Sequence, residues 1–376
     1  MDPLRIAFVS HVFWPETRRG GERLIRDLSD ALIARGHVPR LVTGHRGRTS
    51  RDEEDGLEVL RLRRPPERPL ARIGLPPGTS HVPLAWGSLR RGHDDVVQAW
   101  TPAAGLAAAY SGRPSVLVFQ GVLHPDDLRD RPRVRSVLMR AARGCDVVTT
   151  YSEIAAAEFT RHTGVPARAI NPGIRLDAFT PGGGRAGHPV VFCAADPDEP
   201  RKRVGLLVDA FARVRAERPD AELWLMPTRD HARAAAPGVR IVDPGADRDA
   251  LVHLYRSAWT TVLPAVREAF GLVAVESLAC GTPVVAARDG GAAPLIVEGG
   301  SPGTPIGAVF ERADPGDVAA AVLDALGLVS DPATTAACRT RAEDFPIALC
   351  AERYEALYRE LLSRPSISSR SSSGPK

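Results

Sequence analysis

The chain has 376 residues, of which 44% are hydrophobic and 25% charged, with a formal net charge of +4. That length exceeds the roughly 250–300 residues at which a single core stops growing, so two domains are expected, and no apolar run reaches the ~18 residues of a membrane span. The mild basicity allows an anionic substrate without implying nucleic acid, and five scattered cysteines (Cys145, Cys193, Cys280, Cys338, Cys350) with no C-x-x-C argue against zinc and for reduced thiols in a cytoplasm.

The first apolar run, Leu4–Ser10, reads as a β-strand and not as a signal peptide. Strand-like runs follow at Pro39–Thr43, Val96–Ala99, Val116–Phe119 and Val147–Thr150. Between the first two, Arg23–Ile33 spaces its apolar residues along one helix face, and Gly36 stands as its stop. Gly20 and Gly21 open that helix. Such a pair lets backbone approach a phosphate closely, and it is equally compatible with a plain turn. The strand ends place Trp100, Gln120, Tyr151 and Ser152 along one sheet edge, where Trp14 and Trp100 are candidates to stack on a sugar or to pack as rim residues. Residues 44–95 are rich in Arg and Pro. Arg129, Arg131, Arg133, Arg135, Arg140 and Arg143 then line a predicted helix with Val134, Val137, Leu138 and Met139. That basic and apolar surface suits either solvent or transient contact with an anionic membrane.

A Pro- and Gly-rich stretch from Asn171 to Gly184 marks the break between the halves. Strands are then predicted at Val190–Ala194, Ala221–Met226, Thr260–Leu263, Val284–Ala287 and Ala308–Phe310. Short strands alternating with helices imply a doubly wound parallel sheet, twice. Among 49 basic residues only Lys202 and Lys376 are lysines. Lys202 lies in the turn between a strand and an amphipathic helix, at the sheet edge where ligands bind. It is a mobile point charge suited to a diphosphate, or else a solvated loop cation.

The stretch from Arg267 to Ala286 is the most informative. Glu268 precedes a short apolar helix and Glu276 lies inside it, where an unpaired carboxylate is costly and must find donors. Vicinal sugar hydroxyls are such donors, and an arginine partner is the plainer alternative. Gly271 leaves the helix N-terminus bare, which attracts phosphate.

With Phe270-Gly271 after the first Glu and Gly281-Thr282-Pro283-Val284-Val285 after the second, this stretch resembles the E-x7-E signature of retaining glycosyltransferases of family GT4. The resemblance implies an α/β GT-B fold, two Rossmann-like doubly wound domains facing a cleft. It divides the chain into an acceptor-binding domain (1–172), a linker (173–187), a nucleotide-sugar domain (188–345) and a helix returning to the first domain (346–362). The Ser-rich tail (363–376) is expected to be disordered. By resemblance, Glu268 contacts the transferred sugar and Glu276 the ribose, with Phe270, Gly271 and Leu272 beside the donor. Lys202 and the Gly20–Gly21 loop would hold the diphosphate. The family usually carries an Arg at the preceding strand end. Here Ala194, Ala195 and Asp196 stand there, leaving Arg201 or Arg203 to supply the charge. Gln120-Gly121 replaces a family His and cannot titrate, so His11 and His124 are the stand-ins considered. Trp14, Trp100, Gln120, His124 and Tyr151 are the acceptor-binding candidates.

The implied activity is retaining, metal-independent transfer of a hexose-type sugar from a nucleotide diphosphate sugar, UDP favoured. The acceptor would be a hydroxyl of a glycan, glycolipid or small metabolite, in carbohydrate or natural-product synthesis. No cofactor beyond the donor is expected, and the place of action would be the cytoplasm or the inner membrane face. A nucleotide-sugar epimerase or hydrolase, or a non-catalytic binding protein, are the alternatives. Gly182–Gly187 satisfies G-x-G-x-x-G but precedes a strand, so a dinucleotide site fails on context. Asp196-Pro197-Asp198 and Asp247-Arg248-Asp249 match the short D-x-D metal motif without the β-rich surroundings it needs.

Overall fold

The computed structural model describes residues 2–17, 20–230, 232, 235–245, 247–297 and 303–364. Residues 365–376 of the expected disordered tail lie outside the described residues.

Two sheets form. The first holds β1 (Arg5–Ser10), β2 (Val38–His45), β3 (Ser50–Glu54), β4 (Leu57–Arg63), β5 (Val96–Ala99), β6 (Ser115–Phe119), β7 (Val147–Thr150) and β8 (Ala167–Ala169), in the order β3-β4-β2-β1-β5-β6-β7-β8. All neighbours are parallel except the β3–β4 hairpin. The second holds β9 (Val190–Cys193), β10 (Glu222–Leu225), β11 (Val239–Ile241), β12 (Thr260–Leu263), β13 (Val284–Ala287) and β14 (Gly307–Phe310), all parallel, in the order β11-β10-β9-β12-β13-β14. Central strands such as Val190-Val191-Phe192-Cys193 are buried throughout, as a sheet covered by helices on both faces requires. The architecture is the α/β GT-B arrangement.

Four strands escape the sequence pattern. In β4 the arginines hide the alternation: Leu57, Val59 and Arg61 share the buried face, and Arg61 is neutralised by Asp52 (2.8 Å) and Glu54 (2.5 Å) of β3. β3 is almost wholly charged, while β8 and β11 span only three residues each. Too little apolar sequence marks them.

The predicted first helix forms as Gly20–Ala34, and Gly36 follows it with φ 85°, a left-handed conformation suited to glycine. The final helix, Ile347–Ser363, packs back on Gly20–Ala34. Tyr354 and Tyr358 are fully buried there, with their hydroxyls against Thr149 (3.3 Å) and Gln98. The two chain crossings between the lobes run side by side: Ile174 N–H donates to Phe345 C=O (3.0 Å) and Ile347 N–H to Ile174 C=O (2.8 Å). A Cβ on Gly173 would lie 2.5 Å from the Ile347 Cα, so the approach demands glycine. One apolar cluster runs from Phe8 and Trp100 through Phe179 to Phe192, Tyr255 and Phe270, joining the lobes. Among the described residues no single helix is long and apolar enough to cross a membrane.

Candidate functional site

In each sheet the chain leaves two adjacent strands in opposite directions, β1 and β5 in the first, β9 and β12 in the second. The crevice beyond the carboxyl ends of such a pair is where open α/β sheets bind ligands. The loops after β9 and β12 carry Lys202 and Glu268.

Lys202 closes a single 3-10 turn, Pro200–Lys202, before the helix Val204–Glu217. Its Nζ donates to Glu268 Oε2 at 2.7 Å, and Arg201 Nη1 lies 3.6 Å from the same oxygen. The loops are pinned by Val266 N–H donating to Arg201 C=O (3.0 Å). Two non-glycine residues with left-handed backbone flank the pair, Arg203 (φ 50°) and Arg267 (φ 52°). Each conformation costs on the order of 1–2 kcal/mol and persists because the surrounding structure holds these loops in place. Burial alone would raise the Glu268 pKa, but the Lys202 ammonium, with Arg201 behind it, outweighs that and holds the carboxyl below the usual range. Behind Glu268, Gly291 N–H donates to its carbonyl (2.7 Å), and a Cβ on Gly291 would sit 2.4 Å from that oxygen. Sequence reading missed this glycine, although Gly290-Gly291 just past β13 is the same signal as Gly20-Gly21.

Glu276 is only 4% exposed, in the helix Leu272–Ala279. Tyr255 donates to its Oε2 (2.7 Å), and Arg23 Nη2, from the other lobe, reaches Oε1 (3.0 Å) and Oε2 (3.2 Å). The carboxylate therefore has the arginine partner that the plainer alternative anticipated, supplied across the cleft. Gly271 has φ 95° and a Cβ there would lie 2.8 Å from Ala292 Cβ, so only glycine fits. No side chain caps the helix it opens. The Leu272 Cδ1 would be 3.7 Å from a Cβ on Gly20. A Cβ on Gly21 would lie 2.6 Å from Gln120 Oε1, and Gln120 Nε2 donates to the Trp100 carbonyl. Gly20, Gly21, Gln120 and Leu272 thus meet at one place between the lobes. Arg18 and Arg19, just before them, lie outside the described residues.

Several candidates stand elsewhere than expected. Trp100 is 1% exposed and packs edge-on against Phe8 (5.8 Å, 89°), so it offers no face for stacking on an acceptor. Tyr151 is likewise buried, its pKa driven well above normal by desolvation, and its hydroxyl meets no partner among the described residues. Phe270 is buried and packs edge-on against Phe345 (5.1 Å) in the core. His124 caps its own short helix, Pro125–Arg129, accepting from Asp126 N–H (3.3 Å), a structural role. Arg203 turns to Asp289 (3.2 Å), which leaves Arg201 as the second cation at Glu268. Trp14 is partly buried and stacked on Phe13 (5.6 Å, 18°). Asp198 holds Thr228 Oγ1 (2.8 Å) and Asp247 caps the helix Arg248–Ser257, so both D-x-D motifs serve turns. On the basic helix, Pro132–Gly144, Val137 and Leu138 are buried in the core while Arg133, Arg135, Arg140 and Arg143, and Arg131 just before it, stay exposed. The outward face is mainly basic, with Val134 and Met139 half-buried at its edge.

Comparisons with known proteins point to glycosyltransferases. "Glycosyltransferase Family 4" matches residues 18–178 and "Glycosyl transferases group 1" residues 188–327. A D-inositol 3-phosphate glycosyltransferase from Catenulispora acidiphila is 36% identical over 189 residues, 43% of this chain and 42% of that protein. The chain thus spans less than half the length of this curated relative. Sucrose-phosphate synthase from Thermosynechococcus elongatus has the same fold (TM-score 0.80, 20% identity, 95% of this chain and 99% of that one). So does Anabaena HepE, solved in complex with UDP-glucose (TM-score 0.72, 18% identity, 95% and 100%).

Proposed function

The chain belongs to the group 1, family 4 glycosyltransferases, and from that premise we propose that it moves a hexose-type sugar from a nucleotide diphosphate sugar to an acceptor hydroxyl. UDP is the favoured nucleotide, supported by the UDP-glucose complex of a structural neighbour. The name of the curated relatives favours a small polyol phosphate as acceptor, with glycans and glycolipids next. Transfer proceeds with retention and without a metal, at the cytoplasmic side. Membrane contact, where it occurs, is electrostatic, because the apolar side of the arginine-rich helix is already packed.

The carrying observation is the convergence of Lys202 and Glu268, 2.7 Å apart, with Glu276 on the helix that follows, opposite the Gly20–Gly21 helix start of the other lobe. Departure of the nucleoside diphosphate builds negative charge on the β-phosphate. Lys202, Arg201 and the bare N–H groups after Gly271 meet that charge. Glu268, kept ionised by Lys202, orients sugar hydroxyls, and Glu276 accepts from the ribose diol. The leaving phosphate can take the acceptor proton, so no protein nucleophile is required. Packing of the lobes around the donor excludes water and the hydrolysis it would cause.

Incubation with UDP-, GDP-, dTDP- and ADP-sugars, with free nucleoside diphosphate measured, tests this. Lys202→Ala and Glu268→Ala should each lower turnover at least tenfold, about 1.4 kcal/mol. Full activity in both variants contradicts the assignment.

A further inference from the structure

Arg23 is a residue that sequence patterning assigns only to the apolar-faced helix it begins. It stands about one turn into the Gly20–Ala34 helix, yet its guanidinium grips Glu276 of the opposite lobe. Two side-chain approaches link the helices across the cleft in the same order, Leu272 beside Gly20 and Glu276 on Arg23. Both N-termini therefore open at the same end, one turn or about 5.4 Å from where Arg23 now points. That shared mouth is also where Gly20 and Gly271 give backbone access.

Resting on the donor-binding reading above, we propose that Arg23 is a further diphosphate-binding cation, held on Glu276 until ribose hydroxyls take that carboxylate. The exchange follows from the chemistry of the partners. Glu276 accepts equally from a guanidinium or from two hydroxyls, but hydroxyls bring no charge. Once they take Glu276, the half-buried guanidinium would keep only the charges of Asp27 and Glu22 nearby and lose its hydrogen-bonded counter-ion. A diphosphate arriving on the same ligand restores one. Only Nη2 of the guanidinium bonds Glu276, and its buried Nε meets no partner among the described residues. A phosphate accepts from Nε and Nη2 together, the bidentate geometry arginine favours. The strand end at 194–196 carries no cation, and Arg23 adds a charge from the opposite lobe to those of Lys202 and Arg201. Arg23 thereby ties closure of the lobes to the diphosphate itself.

Titration calorimetry on the full chain with UDP and with uridine separates this role from a structural one. Arg23→Gln should weaken UDP at least tenfold while leaving uridine within threefold, and Arg23→Lys should recover part of the UDP loss. A UDP-to-uridine affinity ratio unchanged in Arg23→Gln, or in Arg23→Lys should the first variant not fold, overturns the proposal. If wild-type protein binds none of UDP, GDP, dTDP and ADP, the donor reading itself fails and Arg23 with it. Should another diphosphate bind in place of UDP, that diphosphate and its nucleoside replace the pair with the same outcomes.

Discussion

A carboxylate is informative when its surroundings make it expensive. Glu268 and Glu276 could be picked out because each sits among apolar residues and glycines, and Lys202 because lysine is so rare in this chain. Arg23 could not. It lies in an ordinary amphipathic pattern, and its partner is 253 residues away. Trp100 misled for a related reason, since a strand-end position does not say whether the ring turns outward or, as here, onto Phe8. Gly291 shows how tightly the site is built. Its Cβ would press on the Glu268 carbonyl, so Gly291→Ala should cost about 1–3 kcal/mol of stability by overpacking. Shifting Glu268 by even ~1 Å should cut turnover by tenfold or more, up to about 100-fold. Denaturant melts and donor turnover on the variant measure both. Turnover at the wild-type level would mean that the Glu268 backbone position does not matter.

Among the elements, the central parallel strands of both sheets were legible because helices cover both faces and leave continuous apolar runs, whereas the three-residue edge strands β8 and β11 carry too little sequence to show. The β3–β4 hairpin was not, because its buried face uses Arg61 with two carboxylates where apolar residues would have shown a period of two. The closing helix was legible as a helix, but its anchor was not. Glu355 holds Arg35 (2.7 Å) just past the end of the first helix and Arg359 (2.9 Å) on its own, with His37 at 3.4 Å. Burial would raise its pKa, but these partners prevail and hold it at about 2, well under the ordinary value of about 4.3. The sign follows: the stabilisation is present above about pH 4.3 and is lost as pH falls towards 2. Glu355→Gln should therefore lower stability on the order of 2 kcal/mol at pH 7 and little near pH 2, flattening the acid limb. Urea midpoints from pH 7 to 2 test this. Parallel curves for wild type and variant would remove Glu355 as the anchor.

At the scale of the molecule, the lobes are joined by paired crossings, a shared apolar cluster and, among the described residues, three ion pairs across the cleft. These pairs are Arg23–Glu276, Arg248–Asp27 (2.6 Å) and Arg267–Asp127 (3.1 Å). The last is half-exposed and worth at most about 1 kcal/mol. The first two are largely buried, and one of them occupies the carboxylate assigned to ribose. Ligand binding and lobe contact are therefore parts of one exchange of partners. A crystal structure of the full chain with the donor chosen by turnover tests that most directly. The ribose hydroxyls should lie within hydrogen-bond distance of Glu276, the diphosphate against Lys202 and the sugar against Glu268. A donor bound away from these three side chains, or one that leaves Arg23 still on Glu276, would contradict the account.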